Sequence, residues 1–134
     1  MAQYEHLPIY KKAFELAAYF ENIVRHFSRY HKYQIGAELR QQTRAILRHI
    51  IRANNAAEKA PHLEKLCELL EDLKISVRLA KEAKAFANFN SFAHSINQVV
   101  DLCRQNEGWL KSTLQKSGRP ESSLHAGAGE ERAN

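Results

Sequence analysis

Apolar residues recur along this chain in alternating steps of three and four, the spacing that gathers them on one side of an α-helix. Pro8 sits well in a first helical turn, where its missing N–H would find no partner anyway. Behind it, Ile9, Ala13, Leu16, Phe20, Ile23 and Phe27 follow in steps of 4, 3, 4, 3 and 4. A second seam holds Leu39, Thr43, Ile46, Ile50 and Ala53 and runs out at Asn54-Asn55, residues suited to a helix C-terminus. Pro61 restarts the chain into a third seam of Leu63, Leu66, Leu70, Leu73, Val77 and Ala80. Asn88 is a natural N-cap for a fourth, which carries Phe89, Phe92, Ile96, Val99, Cys103 and Leu110 and is broken by Asn106. No segment alternates with the period of a strand.

Each predicted helix spans roughly 20–27 residues, or about 30–40 Å. The connections are short, so sequential helices must run antiparallel. The first connection is aromatic and basic (Tyr30, His31, Lys32, Tyr33), with Gly36 near the start of the second helix. The pattern predicts an all-α protein, an antiparallel up-down four-helix bundle over residues 1–116. Residues 117–134 are rich in Gly and Ser and poor in apolar side chains, and read as a disordered C-terminal tail.

Composition narrows the function. The chain has 134 residues, 44% apolar and 26% charged, with 5 Gly and 3 Pro, within the range of an ordinary globular domain. No apolar run approaches the ~18 residues that cross a bilayer. The opening Met1-Ala2-Gln3-Tyr4-Glu5-His6 has neither the basic nor the apolar region of a secretory signal, and the expected location is the cytoplasm. Cys67 and Cys103 lie inside periodic helical segments and read as buried thiols. Seven histidines form no HExxH and no paired Glu-x-x-His. Glu64, Glu68 and Asp72 make a carboxylate row without histidine partners, which reads as a solvated face. With no glycine-rich phosphate loop and no nucleophile elbow, the chain reads as a non-enzyme that needs no metal or cofactor.

Charge placement says more than net charge. Of the surplus of +5, residues 31–57 hold five basic and one acidic group, while residues 58–88 carry six of each. Arg40, Arg44, Arg48 and Arg52 follow one another at intervals of four. At about 100° per residue such a row stays on one face, opposite Leu39, Ile46, Ile50 and Ala53. No Asp or Glu stands three or four positions from any of them, so the like-charged pairs have no local relief. In one reading, Arg48 and Arg52 meet Glu64 and Glu68 on the next helix, leaving Arg40 and Arg44 free. In the other, the row is a footprint for phosphates, extended by Arg25, Arg29 and Lys32, with Tyr30 and Tyr33 near enough to stack on bases or else packed at the bundle end. Such contacts would read shape and charge rather than base sequence.

Five segments in register give a further lead: Leu7-Pro8-Ile9-Tyr10-Lys11, Lys32-Tyr33-x-x-Gly36-x-x-Leu39, Arg52-Ala53-Asn54, Leu79-Ala80-Lys81 and Gly108-Trp109-Leu110. Across residues 7–112 they resemble the accessory variability determinant proteins of diversity-generating retroelements. The four-helix-bundle proteins encoded in ribosomal RNA intervening sequences are similar in architecture. The resemblance implies a homopentameric barrel with a basic surface. It implies association with a reverse transcriptase and its template RNA or cDNA, in support of mutagenic retrohoming, and no catalysis by the accessory protein itself. A protein–protein adaptor, or an intervening-sequence-type bundle of unknown role, is the alternative. Relative to that family pattern the net charge of +5 is modest and the third helix is half acidic. Trp109, just after Gly108, reads as a subunit-interface anchor or as a residue at the core's edge.

Overall fold

The computed structural model describes residues 3–118, so the tail expected over 117–134 lies almost wholly outside the described residues. Four long helices form: α1 (Pro8–Val24), α2 (Ala37–Asn55), α3 (Ala60–Glu82) and α4 (Phe89–Ser117), and no strand occurs among the described residues. Each packs on its neighbours in a closed ring, α1 on α2, α2 on α3, α3 on α4 and α4 back on α1. Late residues of one helix meet early residues of the next: Glu21 reaches Arg40, and His49 reaches His62. The bundle is therefore antiparallel, as the short connections require.

The seams of α2 and α3 are buried residue for residue, from Leu39 to Ala53 and from Leu63 to Ala80. In α1, Val24 is buried where Ile23 was expected, and the helix ends there. Phe27 still reaches the core because its N–H bonds back to the Val24 carbonyl at 3.0 Å in a tightened last turn. The largest departure is in α4. Its buried face is Ser95, Val99, Leu102, Asn106, Leu110 and Leu114, one position away from Ile96 and Cys103. Two polar side chains hold that phase because each has a partner. The Ser95 hydroxyl donates to the Ser91 carbonyl at 2.8 Å, and Asn106 Nδ2 donates to the Leu63 carbonyl at 3.0 Å. The Ser95 hydroxyl and the Asn106 amide nitrogen are paired in this way, which offsets the cost of burying them, while Asn106 Oδ1 has no hydrogen-bond partner among the described residues. Phe92 and Phe86 pack edge to face on the flank instead, 5.9 Å apart.

The helix ends follow local chemistry. Asn88 caps α4 by accepting from the Ser91 N–H at 2.8 Å. Gly118 closes it in the left-handed conformation, φ 80°. At the end of α3 the left-handed position falls to Lys84, φ 63°, while the Ala85 N–H bonds to the Ala80 carbonyl at 2.9 Å. Between α1 and α2 the chain is not a loop. One helical turn (Arg29–His31), started by the Ser28 hydroxyl, runs into a π turn (Lys32–Gly36) that continues directly into α2. No helix among the described residues is long and apolar enough to cross a membrane.

Candidate nucleic-acid interface

Because α2 turns Leu39, Thr43, Ile46, Ile50 and Ala53 inward, its arginines are left on the far side. Thr43 satisfies its hydroxyl within the helix, on the carbonyls of Leu39 and Arg40, both at 3.0 Å. The arginine row then divides in two. Arg40 Nε lies 3.1 Å from Glu21 Oε1, and Arg44 Nη2 reaches the other oxygen of the same carboxylate. Glu21, on the last turns of α1, thus bridges two guanidinium groups with one negative charge. Arg48 and Arg52 are exposed and have no ion pair among the described residues.

This is the opposite of the reading in which Arg48 and Arg52 would have met Glu64 and Glu68. The reason lies in which flank of α2 each neighbour covers. Helix α3 packs on the flank carrying His49, whose Nε2 is 2.9 Å from the His62 carbonyl and whose ring is 5.6 Å from that of His62. Glu68 turns instead to Lys65, 3.4 Å away. Helix α1 covers the other flank and brings Glu21 to the N-terminal half of the row. Glu21 was not singled out from the sequence; antiparallel pairing of the end of α1 with the start of α2 was the available signal.

The three remaining basic residues gather at the α1–α2 end of the bundle. Arg25 caps α1 and donates to Asn22 Oδ1 at 3.1 Å. Arg29 is exposed and Lys32 half-buried, and neither forms an ion pair among the described residues. From residue 21 to 57 there are seven basic and two acidic side chains, a surplus equal to the net +5 of the whole chain. Positive charge is concentrated in this stretch because of where the residues fall along the chain, not because the protein is strongly basic.

Elsewhere the chemistry is muted. Among the described residues no group of three His, Cys, Asp or Glu is placed to hold a metal ion. Burial pushes the Cys103 thiol up to about 11, helped by Glu71, Glu107 and Cys67 and opposed by Lys74. Such a thiol carries almost no thiolate at neutral pH and is a poor nucleophile. Cys67 and Cys103 are both half-buried rather than enclosed in the core. Trp109 is half-buried at the edge of the core, beside a shallow cleft that it lines with Leu7, Pro8, Ile9 and Gln105. A Cβ placed on Gly108 would meet nothing within 4 Å, so close packing inside this chain does not call for a glycine there.

Two of the sequence segments that carry the resemblance, Leu7-Pro8-Ile9 and Gly108-Trp109-Leu110, are thus brought together where α4 runs beside the start of α1. The model of the bAvd-like family matches residues 7–113, most of the chain. The chain belongs to the bAvd-like family. No curated protein and no solved structure matches it. In this bAvd-like chain the matched span takes in α1, α2 and α3 whole and most of α4. All seven basic residues from Arg25 to Arg52 fall inside it.

Proposed function

We propose that this bAvd-like protein is a non-catalytic accessory factor of a diversity-generating retroelement. It works in the cytoplasm as a homo-oligomer, a pentameric barrel, and binds a reverse transcriptase together with its template RNA or cDNA. The nucleic acid lies along Arg40, Arg44, Arg48 and Arg52 and continues over Arg25, Arg29 and Lys32. One observation carries the reading: of four arginines on one helix face, two share a single carboxylate and two have no ion pair among the described residues. Surface arginines that merely solubilise a bundle are interspersed with acids. Arginine also grips phosphate oxygens with two N–H groups at once, which a scattered surface charge does not need.

The test is a gel shift with a structured RNA across a series of salt concentrations. Phosphate contacts make log affinity fall linearly with log salt, by about 0.7–0.9 per contact. Arg48→Glu with Arg52→Glu is expected to weaken binding at least about tenfold and to flatten the slope by about two contacts. Both side chains are exposed and without ion pairs among the described residues, so the helical circular dichroism should not change. An unaltered affinity in that double variant would exclude the phosphate role. If the oligomer instead fell apart, the arginines would belong to a protein–protein contact.

A further inference from the structure

Among the described residues, Tyr30 and Tyr33 are the most exposed large hydrophobic side chains, 73% and 70% open to solvent. Both stand at the α1–α2 end. Tyr30 lies in the single turn before the π turn and Tyr33 within the π turn itself. The ring of Tyr30 meets His31 edge-on at 5.1 Å, and neither phenol has a hydrogen bond to the described residues. The bundle therefore does not use them as core or as caps. An isolated exposed aromatic is unremarkable in a soluble protein. These two are interleaved with Arg29 and Lys32, cations without a carboxylate, at the head of the arginine row.

Duplex nucleic acid hides the faces of its bases and offers phosphates, sugars and groove edges. An unpaired strand offers those faces and its phosphates together, and aromatic rings beside a cationic track are what stack such bases without reading their order. Resting on the nucleic-acid reading above, we infer that Tyr30 and Tyr33 form a stacking platform for the bases of single-stranded nucleic acid whose phosphates lie on Arg29, Lys32 and the α2 row. The surface would then prefer unpaired segments to duplex. The π turn matters because it joins the tyrosines to α2 without a flexible loop, so platform and track are one rigid piece. π turns recur at functional sites.

The experiment compares an oligo(U) and an oligo(dT) of about 12 nucleotides with an abasic strand of equal length and charge and with a duplex. Wild-type protein is expected to bind the base-bearing strands at least about tenfold more tightly than the abasic one. Tyr30→Ala with Tyr33→Ala should bring that ratio close to one and leave the abasic affinity and the melting temperature where they were. Tyr30→Phe with Tyr33→Phe should keep the preference, since stacking uses the ring and not the hydroxyl. The arm with the larger drop between oligo(U) and oligo(dT) identifies RNA or DNA as the natural strand. Equal binding of abasic and base-bearing strands, or a ratio untouched in the alanine variant, overturns the platform while leaving the charged track standing. Failure of every strand to bind overturns both.

Discussion

His49 faces His62, Lys65 and Arg52, and every one of these neighbours is cationic or able to become so. Burial lowers its proton affinity first, and the charges of His62, Arg52 and Lys65 lower it further; the hydrogen bond to the His62 carbonyl works the other way. The folded state thus binds this proton less readily than the unfolded chain, whose histidine titrates near 6.5. The unfolded state takes up more protons as pH falls below that value, so folding loses stability there and regains it as pH rises. The melting temperature is expected to drop between about pH 7 and about pH 5, and His49→Gln should flatten that dependence. A variant as pH-sensitive as the wild type would assign the effect to other groups. Nothing in the sequence marks His49 among seven histidines, because its setting depends on which flank of α2 receives α3. Glu21 escaped notice for the same reason: its role exists only once α1 lies along α2.

Among the elements, the buried seams of α2 and α3 were legible to the residue, since in each the steps of three and four trace one unbroken stripe, even though Leu47 and Ile51 on α2 and Leu69, Ile75 and Leu79 on α3 lie off it. Helix α4 was not, because the residues flanking its buried face are themselves large and apolar: Phe92, Ile96 and Cys103 are half-buried beside it. Size favoured the aromatic edge, whereas the fold chose the edge whose polar members, Ser95 and Asn106, find hydrogen-bond partners. The π turn was also invisible, as one wide turn leaves no compositional mark. Its last residue, Gly36, has ordinary helical backbone angles, φ −62° and ψ −43°. The glycine is required for space: a Cβ there would collide with the Val24 side chain, though it would only touch Phe27, at 3.5 Å. Gly36→Ala is expected to destabilise the bundle by about 1–3 kcal/mol through overpacking. Denaturant unfolding with an unchanged slope would measure it, and a neutral result would mean that the end of α1 shifts freely. Because the same contact anchors the π turn against α1, the variant should also lose part of the preference for unpaired strands.

At the scale of the whole molecule the question is whether polyanions respond to net charge or to its placement. A bundle with a charge of +5 spread evenly would bind nucleic acid weakly and everywhere, and any loss of positive charge would matter equally. Here the surplus sits in residues 21–57, and the rest of the chain balances to zero. Two double variants separate the cases, since each lowers the net charge from +5 to +1. Arg48→Glu with Arg52→Glu removes it from the track; Lys11→Glu with Arg78→Glu removes it from exposed positions on α1 and α3. At physiological salt a strand lying along the α2 row is screened from charges more than a Debye length of about 8 Å away, and neither Lys11 nor Arg78 belongs to that row. The α2 variant should therefore lose at least about tenfold in affinity and about two contacts from the salt slope, while the α1/α3 variant stays within about twofold of wild type. Equal losses in both would mean that the protein acts as a diffuse cation, and that the row on α2 is an accident of helical spacing.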